Sequence, residues 1–298
     1  MANLTTAGFS ELLYPGLYNI WGLEYPQYQE EYSKVFDVRT STQAYEKTLG
    51  LTGFGLAANK SEGASVTYGT AFQGFTHTLT HVTNGLGFIV TSEMYEDDQY
   101  GKMKALPKSL ARSIRHTIEI DAANVLNNGF SSSYTGADGH QLLDTDHPLV
   151  GGGTYQNEPT TSTDLSMTSL EAMLALINDF TDDQGLLINA QVKKLVVHPD
   201  NEWTARQILQ SEKDPESNFN AINPAKGLMP YVTMHFLTDP DAWFLITDVP
   251  NGLVFYWRRR PAFTKDNDFD SDNAKFKTTY RCIQGWDDPK GVVGSPGA

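Results

Sequence analysis

The amino-acid sequence predicts an α+β fold. Three observations carry that reading: an apolar stripe at helical spacing over about 107–128, several strand-like runs, and no regular strand–helix–strand alternation. At 298 residues the chain has room for one large domain or two modest lobes, since a chain of this size buries roughly 75% of the surface its unfolded form exposes.

Residues 1–50 are polar and aromatic, with tyrosines at 14, 18, 25, 28, 32 and 45 and no long periodicity. They read as an extended arm that needs another surface to lie against. A glycine-studded segment, 50–70, follows. In "FTHTLTHV" the residues Phe75, His77, Leu79 and His81 point to one face and Thr76, Thr78 and Thr80 to the other. Asn84-Gly85 separates this run from "FIVTSEM", so 62–92 is predicted to be a two-stranded hairpin. A lone hairpin is marginal in water, so it is expected to pack on something else, such as a neighbouring subunit.

The helix comes next. Met103, Leu106, Leu110, Ala111, Ile114, Ile118, Ala122, Val125 and Leu126 recur at three- and four-residue steps. Asp97 or Asp98 is expected to cap its start, Pro107 to kink or restart it, and "NNG" at 127–129 to supply a left-handed stop. Beyond a Gly/Asn/Thr-rich loop, Ser166 or Thr168 caps the helix "SLEAMLALINDF". The strand "KKLVVHP" then leads into the helix "DNEWTARQILQS", with Asp200 at its cap. Strands "YVTMHFLT", "AWFLIT", "LVFYWRRR" and "KFKTTYRCI" complete the chain.

Composition narrows the function. The formal charge of −14, from 36 acids against 22 bases, repels a polyanion on average and disfavours nucleic-acid binding. One cysteine, Cys282, excludes an internal disulfide and fits folding in a reducing cytoplasm, with the residue itself packing in a strand. The N-terminus lacks signal-peptide features, and no apolar run reaches the ~18 residues of a membrane span.

The densest chemistry lies in "DGHQLLDTDHP", 138–148. Asp138, His140, Asp144 and His147 could serve a metal-dependent hydrolase, but Gly139, Pro148 and the polar density read as an exposed turn. His77 and His81 are about 13 Å apart along a strand, too far to share an ion. His198 reads as a hydrogen-bonded residue beside a proline turn. "DNDFDSDN" imitates a calcium loop through Asp268, Asp270 and Asp272, yet Asn273 and Thr279 occupy its two most demanding positions. Arg258, Arg259 and Arg260 are too few for a nucleic-acid tract and are expected to form salt bridges within or between subunits. No phosphate loop, nucleophile elbow or dinucleotide fingerprint is present, so no catalytic set and no cofactor is expected.

Several segments stand in a telling order: "TSEMYEDDQYGKM", a proline-interrupted helix, "DGHQLLDTDHP", "LSMTSLEAMLALINDF", "QVKKLVVHPDNEWTARQIL" and "FDSDNAKFKTTYRCIQGWDDPKGVVGS". Over about 60–298 the chain resembles the major capsid proteins of tailed bacteriophages, and is similar to the head-subunit group of Mu-like phages with the Hong Kong ninety-seven fold. The resemblance implies an N-terminal arm over 1–50 and an extended loop over 51–94. It further implies a peripheral domain with a spine helix over 95–191 and 259–298, and an axial domain over 192–258. It also implies self-assembly into pentamers and hexamers that form an icosahedral shell around double-stranded DNA, without sequence-specific binding.

Expected partners are further copies of the chain, a separate scaffold protein, a portal and a cement or decoration protein, with no membrane. Assembly is expected in the host bacterial cytoplasm, and residence in the virion. Candidate subunit contacts are Lys60, Glu62, Arg258, Arg259, Arg260, Asp144, Asp146 and His147. Covalent cross-linking through Lys60 is not expected, because no partner asparagine or assisting glutamate is identifiable by motif. A tail-tube or decoration protein is the structural alternative, and such proteins lack a long spine helix.

Overall fold

The apolar stripe forms the longest helix, Ala105–Asn127, in the computed structural model, which describes residues 9–91, 93–94, 97, 101–215, 221–267 and 273–298 and side chains from residue 14. In chain order the elements are α1 (Phe9–Glu24), α2 (Tyr32–Val35), β1 (Asp37–Thr40), β2 (Tyr45–Leu51), β3 (Gln73–Thr80), β4 (Val82–Val90) and α3 (Ala105–Asn127). Then follow β5 (His147–Pro148), β6 (Thr154–Tyr155), α4 (Met167–Asn178), β7 (Val192–Val197), α5 (Glu202–Gln210), β8 (Tyr231–Thr233) and β9 (Trp243–Thr247). The chain closes with β10 (Leu253–Asn267), β11 (Ala274–Trp286) and β12 (Val292–Ser295).

Pro107 stands in the first turn of α3, which starts at Ala105, where the backbone donor it lacks has no intrahelical acceptor. A 3-10 turn, Lys102–Lys104, leads in, and the cap position Lys104 makes no side-chain cap bond. The expected Asp97 cap is therefore corrected; Asp98 lies outside the described residues. The stop is not left-handed either. Asn128 keeps φ at −95°, and its backbone N–H and its amide both donate to the Asn124 carbonyl, at 3.0 and 2.8 Å. Gly129 is needed for closeness, since a Cβ there would meet the Leu126 carbonyl oxygen at 3.0 Å.

Helix α3 packs on a four-stranded sheet of order β1-β10-β11-β4, in which β1 runs parallel to β10 and the other pairs are antiparallel. Leu110, Ile114, Ile118 and Leu126 meet Phe255, Trp257, Phe276 and Tyr280 in the first core. A second sheet has the order β12-β9-β7-β8. Its strand β9 is buried along its whole length and β7 over Leu195–Val197, and these are the stretches where the sequence runs apolar without alternation. Val196, Phe244 and Ile246 join the first core, while Leu195, Val197, Trp243 and Leu245 form a second core with α4 and α5. The two cores thus share one sheet. The expected division at 258/259 falls inside the single strand β10, and β12 and α4 pack with β9 and β7.

The N-terminal stretch folds back onto its own chain. Leu17, Trp21, Tyr32, Val35 and Phe36 are buried in the first core, and Tyr14 and Trp21 stack on Phe263 at 6.0 and 5.9 Å between ring centroids. The reading of 1–50 as an unpartnered extended arm is corrected over these residues. Aromatic rings bury large areas per residue, so a segment without a continuous stripe still docks firmly.

The hairpin is also re-registered. β3 pairs with β2, joining Thr48 to His77, whereas β4 pairs with β11 along its whole length. Asn84-Gly85 lies inside β4, where Asn84 donates to the Tyr280 hydroxyl at 3.2 Å. A Cβ at Gly85 would meet Thr279 Cγ2 at 2.9 Å. The glycine thus serves close strand approach, and the hairpin spans 45–80, not 62–92.

Two caps close the comparison. Ser166 caps α4, with Ser169 completing a reciprocal capping box. Asp200 does not cap α5: it sits in a 3-10 turn, and its N–H donates to His198 Nδ1 at 3.2 Å, as befits the hydrogen-bonded histidine expected there.

Candidate assembly surfaces

The β2–β3 hairpin is anchored at its root by acids of the body. The Thr48 hydroxyl donates to Asp287 Oδ2 at 2.8 Å, and His77 Nδ1 lies 3.4 Å from the other carboxylate oxygen. Glu46 holds the buried His81 ring at 3.1 Å and accepts from the Ser41 hydroxyl. His77 and His81 thus lie beside different carboxylates, Asp287 and Glu46. A 320 Å³ cavity lies beneath the root, lined by Thr48, Gly74, His77, Asp138, Tyr155 and Asp287.

Beyond the root the hairpin first passes the 182–184 turn, where a Cβ on Gly53 would lie 3.5 Å from Asp182 Oδ2 and one on Gly55 3.8 Å from Gln184 Oε1. The Thr52 N–H donates to the Phe72 carbonyl at 3.0 Å, and the Phe72 N–H returns a bond to Thr52 Oγ1 at 2.7 Å. Past that pair Phe54, Leu56, Val66 and Tyr68 are exposed. Leu56 and Tyr68 retain 86% and 91% of their full accessibility, so neither has intramolecular cover. Lys60 and Glu62 flank the tip turn, where the Ala64 N–H donates to the Ser61 carbonyl at 3.1 Å, and both are exposed. Several large apolar side chains exposed on one ribbon mark an interaction site.

The 138–148 stretch differs from the expected solvated turn. His147 is fully buried, with Nδ1 2.6 Å from Asp138 Oδ2 and its ring stacked on Tyr155 at 5.0 Å. Burial pushes the Asp138 carboxyl up, but the bond and charge of His147 outweigh it and hold the group below the usual carboxylate range. His140 pairs instead with Asp144, Nδ1 to Oδ2 at 3.0 Å. Asp144 is half-buried in this pair, whereas Asp146 is exposed. The aspartates and histidines are thereby split into two separate pairs. Among the described residues no three His, Cys, Asp or Glu side chains converge on a common ion position. Asn157 locks the turn from behind, its amide donating to the Leu142, Pro289 and Val292 carbonyls at 2.8–3.1 Å.

The arginine run lies on β10, where the register shifts between Trp257 and Arg259 and again before Ala262. All three arginines are exposed. Arg259 donates to Thr279 Oγ1 at 3.1 Å, and the Arg260 guanidinium sits 5.2 Å from the Trp257 ring centroid. Among the described residues none of the three reaches a carboxylate, so their expected salt bridges within the chain are not formed. Of the calcium-like run, Asp268, Asp270 and Asp272 lie outside the described residues, and Thr279 is a β11 strand residue. Cys282 is buried in the first core, which pushes its thiol up to about 12.

Sequence reasoning missed one further anchor. Glu119, on α3, accepts the N–H groups of Glu31 and Tyr32 at 3.1 and 3.0 Å, while Arg115 binds Glu30 at 2.7 Å. Desolvation by burial pushes Glu119 up to about 7, against the pull of those donors and of Arg115. Its i+4 spacing from Arg115, within a buried helix face, was the available signal.

The comparisons with known proteins bear on these surfaces. The fold resembles the capsid structure of the cyanophage P-SCSP1u, with TM-score 0.57, 9% identity and 87% of this chain over 85% of that one. It also resembles the procapsid of bacteriophage JBD30, with TM-score 0.52, 16% identity and 98% of this chain over 76% of that one. A third likeness is to the capsid of JBD30 decorated with minor capsid protein trimers, with TM-score 0.55, 15% identity and 71% of this chain over 92% of that one. No curated protein matches in sequence. The family model described as phage capsid protein matches residues 76–295, about three quarters of the chain, and the chain therefore belongs to the phage capsid protein family.

Proposed function

We propose that this capsid protein is the major head subunit and that its copies close into pentamers and hexamers of an icosahedral shell around double-stranded DNA. The observation that carries the reading is the hairpin tip, where Phe54, Leu56, Val66 and Tyr68 are exposed and belong to neither core. Exposed apolar side chains on a long ribbon are supported when a neighbouring copy covers them. Lys60 and Glu62 at the tip, and Arg258 to Arg260 on the body, are the polar groups we assign to the rim of such contacts.

On this reading 51–94, 95–191 with 259–298, and 192–258 act as extended loop, peripheral and axial parts, although β4 belongs to the first sheet and the cores run across these divisions. In 1–50 the segment from Leu17 to Phe36 docks on the chain's own core instead of forming a free arm. A scaffold protein and a portal direct closure in the host bacterial cytoplasm, and the finished subunit resides in the virion. The JBD30 capsid decorated with minor capsid protein trimers supports a cement partner here too. The role is structural, and we assign no residue to catalysis.

Electron microscopy of the expressed chain, alone and with its scaffold, tests the proposal. Closed shells of pentamers and hexamers are expected. A chain that stays monomeric under both conditions overturns it.

A further inference from the structure

The sheet that carries α3 on one face has a second face with a distinct charge. In β11, Phe276, Thr278, Tyr280 and Cys282 point into the core, so Lys277, Thr279 and Arg281 alternate to the outside. Arg259 is the direct cross-strand partner of Arg281. Like charges directly opposite one another repel and destabilise an isolated sheet. The Arg281 Nε also finds no hydrogen-bond acceptor among the described residues, although that atom is buried. Arg259 and Lys277 are exposed, and neither reaches a carboxylate among the described residues. On the flanking β4 strand the residues opposite Arg281, Thr279 and Lys277 are Thr83, Gly85 and Gly87, none of which carries a charge.

This face sits on a chain of formal charge −14, so every cation gathered here leaves the remaining surface more acidic. We infer that the outward face of the sheet, centred on Arg259, Arg281 and Lys277, binds carboxylates of a second copy of this chain. The inference rests on the shell reading above and adds a charge-steered contact to the apolar one at the hairpin tip. A basic face and an acidic surface on the same chain form a head-to-tail contact, the type that closes into rings. Opposed charges speed encounter and reject wrong registers, and salt weakens them. An unpaired Arg259–Arg281 couple is unfavourable in the monomer and is relieved when an anion bridges it. DNA is the competing anion, and the test separates the two.

Arg259→Glu with Lys277→Glu is the decisive variant. It places a carboxylate opposite Arg281, so the monomer should melt no lower than the parent while shell assembly slows by about tenfold or more at low salt. Parent assembly, followed by light scattering, should slow as sodium chloride rises, and assembly of the variant should not respond. Zero-length carbodiimide coupling of shells built from mixed light and heavy-isotope copies should join Lys277 to an Asp or Glu of the other copy. Normal assembly of the variant, or Lys277 links confined to one copy, overturns the inference. So do normal shells that package less DNA, which would assign the face to nucleic acid. If the parent never assembles, the shell reading itself fails and this inference fails with it; a parent that assembles beside an unaffected variant sinks this inference alone.

Discussion

His147 and Asp146 are adjacent in sequence and opposite in environment. His147 is enclosed and bound to Asp138, whereas Asp146 stands in solvent. Breaking a buried, hydrogen-bonded pair leaves the surviving partner uncompensated, so His147→Ala should cost about 3–5 kcal/mol in denaturant unfolding. Asp146→Ala should stay within about 0.5 kcal/mol. Equal effects would remove the distinction drawn here. At Glu119 the sign is set by a carboxyl raised from 4.5 to about 7. A group whose folded pKa is raised contributes stability fully present below its unfolded pKa and lost as pH rises through the folded one. The parent should therefore lose a few °C in Tm between pH 4.5 and 7 through this group, on the order of 1–2 kcal/mol. Glu158, also raised to about 7 by burial, adds to the slope. Glu119→Gln should flatten Glu119's share alone, and scanning calorimetry across that range decides it.

Among the elements, α4 shows local signals at their most reliable. Ser166 accepts the Ser169 N–H at 3.0 Å, and the Ser169 hydroxyl accepts the Ser166 N–H at 2.8 Å. Ser166→Ala should cost about 1 kcal/mol, read as a lowered Tm. The hairpin is the opposite case, with side chains that serve no intramolecular packing. Phe54→Ser with Tyr68→Ser should leave unfolding of the monomer within about 0.5 kcal/mol, because both residues are exposed. The same variant should reduce particle yield in sedimentation. A large loss of monomer stability would mean that the tip packs at home. The hairpin also shows where element reading failed. Asn-Gly is a turn signal when two strands need joining, but at Asn84-Gly85 the strand continues because β11 comes close and only glycine fits.

At the scale of the whole molecule, two cores lie on opposite faces of one sheet, the first shared with the long helix and the other sheet. The second sheet lends one face to each core, so the strands β7 and β9 tie the parts together. Much of this architecture was legible in advance. The α3 stripe, the strands of β7, β9, β10 and β11 and the α4 cap follow from spacing and residue type, because those are local constraints. The ordered segments also pointed to the capsid family, which the family model matches over 76–295. What the sequence by itself determined was therefore the α+β class, the principal elements and the family. Only the tertiary structure decided which strand β3 joins, that the tyrosine-rich N-terminus docks on α3, and that His147 is buried against Asp138 while Arg259 faces Arg281. Those outcomes depend on partners far away in the chain, and a residue's own neighbours in sequence carry no record of which distant surface will cover it.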